Sequence, residues 1–434
     1  MSILFRFFVI GLLTLWAVSP AFAQQSATLI YSANLDGELE PCGCAESGNY
    51  GGIMRRVTTI DELRKTSPDL FLISAGGLIV NEAPQDKIKS EYIFKGYAAL
   101  NYDAIGLQHN DLAFGNQFSQ AQKLPWTINN SHLDGAPSFR DIQKGQTSLR
   151  FFQWLSASEH SNDMGQQFKP NNESAALKKL QMQLDEARQQ GKLTLLATTL
   201  KLDTAKKLFP LDKIDLLIIK ANYEEYGEAK KVGNTIVLQP GSRGMRLGRL
   251  DLKIAAGAIT DFTHSVIDMP KEIADAPRMS NWYADYNTAV TDLYKQRIAA
   301  SKNLKEEDKL YAGEAACKNC HQKEHEIWFN TKHAEAYYQL MDVDKGYDPD
   351  CVGCHVLGLD KPGGFLDPML TENMMHVQCE NCHGAAKQHV ASRGEINTSN
   401  ANWPKEKICG QCHVQKHSPE FNFKQYWPRI QHGK

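Results

Sequence analysis

Eight of the ten cysteines in this 434-residue chain fall into one repeated pattern. The runs are Cys317-Lys-Asn-Cys320-His321, Cys351-Val-Gly-Cys354-His355, Cys379-Glu-Asn-Cys382-His383 and Cys409-Gly-Gln-Cys412-His413. Two thiols one helical turn apart are spaced to form thioethers with the two vinyl groups of a porphyrin. The adjacent His then sits under the iron, which is the attachment chemistry of c-type haem. A single run reads equally as a redox dithiol or half a zinc site. Four runs, each followed by His, point to four covalently bound c-type haems. The sixth position of each iron needs a further donor, and the same segment offers His325, His333, His376, His389, His417 and His432. An iron between two imidazoles is saturated and suits electron transfer, whereas an open iron binds a small molecule. His325 lies on the helix face of His321, so it cannot cross to the far side of its own haem, though it can serve a neighbour. At least two of the six are expected to be spare, solvated or bonded to a propionate.

The two remaining cysteines, Cys42 and Cys44, lie in Glu40-Pro-Cys-Gly-Cys44 after a strand-like run. Ligand sites of α/β folds gather at such strand ends. Several readings stay open for this pair: an inert loop disulfide, a strained disulfide, a soft-metal site for an ion such as copper, or a redox or sulfur-carrying nucleophile.

The elements that must position these groups divide the chain. Residues 1–23 read as a signal peptide, with Arg6, an apolar stretch from Phe7 to Val18 and an Ala21-Phe-Ala23 cleavage site. That run is short for a membrane anchor, and no later segment is long and apolar enough to span a bilayer. The expected location is therefore periplasmic or otherwise exported, with no transmembrane span after cleavage. A net charge of -2 gives no electrostatic case for nucleic acid. Residues 27–268 read as α/β, with strand-like runs at 28–32, 70–74, 126–129, 193–197, 216–219, 235–239 and 247–254. Between them, Leu177, Leu180, Leu184 and Ala187 share a helix face that Gly191 ends. Trp282, Tyr286, Val290, Leu293 and Ile298 recur at near-helical spacing in a linker over 270–309. Residues 310–434 are expected to be mainly helical and packed around haem.

From Tyr311-Ala-Gly-Glu-Ala-Ala-Cys317 through Trp328, Thr331 and His333-Ala-Glu-Ala, the C-terminal region resembles the tetrahaem cytochrome c family of ammonia-oxidising bacteria. Asp350-Cys351, Val377-Gln-Cys379, His389 and the Ser418-to-His432 tail carry the same resemblance. It implies His333, His389 and His432 as distal ligands, with His325, His376 and His417 as alternates, and it leaves room for one five-coordinate haem. The N-terminal region resembles the metallophosphoesterase domain of the 5'-nucleotidase family. The matching stretches are Ser32-Ala-Asn34-Leu-Asp36-Gly37, Gly51-Gly-Ile-Met-Arg55-Arg56, Asp103 to Asp111, and Gln239 to Leu252. That resemblance implies a layered α/β sandwich. Its metal ligands are depleted here: Ser74-Ala-Gly-Gly77 stands where the family has Asp-Ala-Gly-Asp, and Lys220-Ala-Asn-Tyr223 replaces Gly-His-x-His. A dinuclear hydrolytic centre needs those carboxylates and imidazoles.

The expected function is electron transfer with redox partner proteins of the periplasm or cell envelope. A coupled reaction is expected to involve a small sulfur or nitrogen compound, an inorganic substrate handled at the Cys42/Cys44 cleft. The alternatives are an oxidoreductase acting at an open haem and, less favoured, a phosphoester hydrolase fused to a cytochrome.

Overall fold

The computed structural model describes residues 25–41, 49–81, 85–156, 173–301, 304–342, 345–346, 348–414, 417–418 and 420–433. The stretch read as a signal peptide and the Cys42/Cys44 pair lie outside the described residues.

The strands in chain order are β1 (Gln25–Ser32), β2 (Phe71–Ser74), β3 (Ala104–Gly106), β4 (Trp126–Thr127), β5 (Arg140–Lys144), β6 (Thr147–Trp154), β7 (Leu193–Thr198), β8 (Leu216–Ile218), β9 (Lys230–Val232), β10 (Thr235–Leu238), β11 (Arg246–Ala255) and β12 (Ala258–Asp268). They form two six-stranded sheets, ordered β12-β11-β1-β2-β3-β4 and β5-β6-β7-β8-β10-β9. The centre of each sheet is parallel, as in β1 with β2 (Leu29 opposite Phe71) and β6 with β7 (Leu149 opposite Leu193). These central strands are apolar on both faces because both faces are covered. Leu29, Tyr31, Phe71, Ile73, Phe151, Leu195, Leu216 and Leu250 fill the space between the sheets.

The helices of this region are α1 (Ile53–Thr66), α2 (Asp86–Leu100), α3 (Asn116–Gln120), α4 (Glu173–Gln189), α5 (Leu202–Leu208) and α6 (Ser280–Ser301). Helices α1 and α2 cover the first sheet through Val57, Ile60, Ile93, Phe94 and Tyr97. Leu180 and Leu184 of α4 cover the second sheet against Leu196 and Leu217. The result is a four-layered α/β sandwich, in which each amphipathic element buries its apolar face on a neighbour. Arg56 of the Gly-Gly-x-x-Arg stretch is structural: its buried guanidinium donates to Tyr102 Oη at 3.2 Å and to the Gly244 carbonyl at 2.9 Å.

Three features of this region are illegible from residue pattern. β3 has only three residues, and β5 with β6 forms an antiparallel arm not read from the sequence. β12 alternates polar residues and is half exposed; it pairs antiparallel with β11 across a turn at Ala256 and Gly257, both at positive φ. That turn geometry, tolerant of the right-handed strand twist, is what admits the hairpin.

After α6 the described residues hold no named strand. Short helices follow at Glu314–Lys318, Gln322–Phe329, Ala336–Met341, Pro349–His355, Cys379–His383, Lys387–Ala391, Lys405–Cys409 and Phe423–Tyr426. One small apolar cluster, including Tyr337, Leu340, Val352, Val356, Phe365 and Met375, forms the core of this region. Helix α6 joins the two regions. Its Trp282, Tyr283 and Tyr286 pack on the first-sheet core, while Arg297 reaches Asp360 at 2.6 Å.

Candidate haem-binding site

Each Cys-x-x-Cys-His run closes on itself in a single turn. In the first, the His321 amide donates to the Cys317 carbonyl at 2.9 Å; in the fourth, His413 does the same to Cys409 at 2.9 Å. The thiols and the imidazole of one run therefore share one side of the backbone. All eight thiols are free of disulfides. The Cys317 thiol is a near neighbour of the Cys379 thiol, and the Cys354 thiol of the Cys412 thiol. The first run thus sits against the third and the second against the fourth.

Three of the four run histidines face a distant imidazole. His321 faces His389 with ring centroids 6.3 Å apart and planes inclined by 25°. His413 faces His333 at 6.1 Å, and His383 faces His432 at 5.8 Å. A metal between two imidazoles, with each nitrogen about 2 Å away, puts the centroids roughly 6 Å apart. The spacing suits an iron between the rings of each pair. Burial, reinforced by the neighbouring imidazoles, holds His333, His383 and His413 below the usual histidine range. The neutral ring is the form that binds metal.

Hydrogen bonding at the other ring nitrogen completes the fit. His355 Nδ1 lies 2.6 Å from the Ala336 carbonyl, His389 Nδ1 2.7 Å from that of Ile396, and His432 Nδ1 2.8 Å from that of Ile430. A carbonyl can only accept, so each of these imidazoles carries its proton on Nδ1 and presents the Nε2 lone pair. Such bonds orient metal-binding histidines and raise their basicity. The residues present therefore fit haem at the motifs.

Among the described residues no imidazole pairs with His355. His376 lies behind it: the Tyr337 amide donates to His376 Nδ1 at 3.2 Å, while the carbonyl of that same peptide unit, Ala336, accepts from His355. One peptide group thus joins the two histidines, and the His376 ring packs edge-on against Tyr338. His325 is buried, bonded to the Glu314 carboxylate and packed against Trp328. His417 sits in the turn after the fourth run, its amide donating to the Val414 carbonyl at 3.1 Å.

The N-terminal cleft is filled by a different network. Asp111 is fully buried and accepts from the backbone amides of Gly77, Leu78 and Gln108 at 2.9, 2.6 and 2.9 Å. Burial pushes its carboxyl up to about 6, against the pull of those amides. Gln108 Nε2 donates to Asn34 Oδ1 at 3.2 Å, and Asn34 Nδ2 donates to Asp36 Oδ1 at 3.2 Å. Gly77 has φ +74°, and a Cβ there would lie 2.9 Å from Gln108 Oε1 and 3.0 Å from Asn34 Nδ2. The space that a side chain at position 77 would need is thus occupied by the Asn34 and Gln108 amides. His109 points elsewhere, its Nε2 3.2 Å from the Ser156 carbonyl. Among the described residues no three His, Cys, Asp or Glu side chains converge on one point. Hydrolysis of a chromogenic phosphodiester by the purified chain with added manganese is accordingly expected to stay at the no-enzyme rate. Metal-dependent turnover would show that a dinuclear centre survives.

A region that carries the Cys-x-x-Cys-His runs and resembles c-type cytochromes is joined to an α/β region with a metallophosphoesterase-like fold. The family described as cytochrome c554 and c-prime matches residues 316–384. Cytochrome c-554 of Nitrosomonas europaea is 31% identical over 142 residues, which cover 25% of this chain and 59% of that protein. The α/β region is similar in fold to a 5'-nucleotidase precursor of Thermus thermophilus, with TM-score 0.52 and 14% identity over 62% of this chain and 60% of that one. It is also similar to the sulfate thiohydrolase SoxB of the same organism, with TM-score 0.51 and 15% identity over 61% of each chain. Among the described residues no helix is long and apolar enough to cross a membrane.

Proposed function

We propose that this chain is an exported tetrahaem cytochrome that moves electrons between redox partner proteins of the periplasm or cell envelope. The single observation that carries the reading is the set of three imidazole pairs about 6 Å apart, each holding one run histidine. In this reading residues 1–23 are removed on export, 27–268 form the phosphoesterase-like domain, 270–309 the helical linker and 310–434 the tetrahaem domain. When bound, the haems supply one-electron transfer and, where no second imidazole is present, a position for a small ligand.

The side chains support an order for the path. Cys317 lies beside Cys379, and His383 feels both His321 and His389. Cys382 is electrostatically coupled to Cys409, and Cys354 to Cys412. The path therefore runs from the first site through the third and fourth to the second. His333, His389 and His432 hold the irons of the fourth, first and third sites against His413, His321 and His383. Among the described residues, His355 alone would hold the second. That lone imidazole favours a second role, in which a small inorganic molecule of the sulfur or nitrogen oxyanion class meets the path at its end. Cys42 and Cys44 remain candidates for the same chemistry on the strength of their sequence.

The test is a haem count by pyridine haemochrome together with electron paramagnetic resonance of the oxidised protein. Four haems per chain with one high-spin and three low-spin irons are expected. Fewer haems, or four low-spin irons, would overturn the reading.

A further inference from the structure

The two regions meet through side chains that converge on the second haem-binding run. Helix α2 is anchored in the first-sheet core by Ile93, Phe94, Tyr97 and Leu100. Its opening residues leave that core and face Asp350, the residue before Cys351. Lys89 is only 8% exposed, and its Nζ forms an ion pair with Asp350. Gln85, also buried, donates to Asp350 Oδ1 at 3.5 Å. Asp350 is in the first turn of the helix Pro349–His355, whose cap Asp348 accepts from the Asp350 amide at 3.0 Å. A second bridge lies alongside: Lys345 Nζ is 3.7 Å from Glu40 and 3.2 Å from Asp348. Glu40 also accepts from the Tyr283 hydroxyl. From α6, Tyr294 donates to Asp367 and Arg297 to Asp360, both on the segment that follows the second run. The contacts made by Gln85, Lys89 and Glu40 of the α/β layers thus end on residues 345–350, at the entrance to the second run.

We propose that the α/β domain is the fixed electrostatic wall of the second haem site, with Lys89 and Asp350 as a compensating charge pair in which docked Lys89 offsets the effect of Asp350 on the reduction potential of this haem. This inference rests on the reading of the second site as a haem held by His355.

The physical reason is the cost of charge in a buried setting. Water screens exposed charges strongly, whereas buried ones act across several ångströms at low effective dielectric. An ammonium beside the attachment helix opposes the extra positive charge of ferric iron, and a carboxylate favours it. Folding brings the two together, so their effects largely cancel. Because Lys89 comes from a helix anchored in another domain, the cancellation depends on that domain being docked. A lysine is in this way assigned a task that no spacing in the chain announces.

The opposed signs give the test. Full-length, haem-loaded protein is titrated spectroelectrochemically, with the second haem followed by its high-spin signal. Lys89→Met should lower that one potential by a factor of ten or more in the reduction equilibrium constant, which is about 59 mV for a one-electron couple. Asp350→Asn should raise it by a similar factor. The double variant should return close to the original value, Lys89→Arg should leave it in place, and the other three potentials should not move. A merely structural role predicts otherwise: both single variants would shift in the same direction, or several haems would shift together. Either of those results, or no shift, overturns the inference. If Lys89→Met yields no loaded protein, Lys345→Gln at the more accessible bridge carries the test, with a smaller lowering expected and no lowering counting against it. The high-spin signal of the unmodified protein tests the underlying reading separately. If it is absent that reading fails, and the wall is then judged by whether one potential of the four responds with opposite signs to the two variants.

Discussion

Replacing His389 with Ala is expected to double the high-spin fraction of the oxidised protein, from one iron in four to two. The His389 ring lies 6.3 Å from His321 and is steered by the Nδ1 bond to the Ile396 carbonyl. It stands on the short helix Lys387–Ala391, so truncating it takes a donor away without disturbing an apolar core. An iron that loses one of two imidazoles loses the strong axial field that keeps it low-spin, and its position opens to small ligands. Electron paramagnetic resonance reads the change directly, and cyanide binding gives an independent count of open positions. His376→Ala is the control. Its ring backs His355 through the Ala336–Tyr337 peptide and faces no run histidine, so the low-spin count should stay at three. If His376→Ala abolished a low-spin signal and His389→Ala did not, the assignment of distal residues would be wrong.

The second large effect concerns folding. A chain made without haem attachment should keep its α/β domain and lose the structure of residues 310–434. The helices of that region are at most eight residues long among the described residues, well below the length at which isolated helices persist in water. Its buried apolar cluster comprises eight residues, including Val352, Val356 and Met374, which is a small core for so long a segment. In the proposed reading covalent cofactors supply the missing interior, as structural metals do in small domains. The α/β layers have their own extensive cores and need no such help. Limited proteolysis should therefore cut the haem-free chain beyond about residue 301, at least about 100-fold faster than the loaded protein. That ratio corresponds to losing about 2.7 kcal/mol of local stability. Equal protection in both forms would show that this region folds by its own contacts. Helix α6 should stay docked through Trp282 and Tyr286 while its distal half, whose Tyr294 and Arg297 bond to Asp367 and Asp360, loosens.

The parts of the site that were legible are those whose chemistry is local. A thioether pair and a proximal imidazole must lie within one turn, so they leave a contiguous mark at Cys317, Cys351, Cys379 and Cys409. The buried strands were legible for a related reason: β2 and β7 are buried throughout because both their faces are covered, and β11 alternates buried and partly exposed residues with one face on the core. β3 was too short to show a period, and β12 was too polar, since its outer face meets solvent. Distal donors leave no local mark at all. His333 and His413 are far apart in the chain, and nothing about their spacing joins them; the reading of His333, His389 and His432 came from resemblance to a family. Lys89 gave no signal either, because a lysine in an amphipathic helix ordinarily faces water.

The four Cys-x-x-Cys-His runs are legible in sequence alone, since the attachment chemistry proposed for them confines each to five neighbouring residues. The departure from the ligand set of the resembled phosphoesterase family was equally a matter of residue identity, with Gly77 where that family has Asp. The tertiary structure decided which imidazoles face one another, that Asn34 and Gln108 close the space beside Gly77, and that a helix of the α/β domain sets Lys89 against the second run. Those outcomes depend on which surfaces pack together, and packing is settled by burial summed over many distant residues.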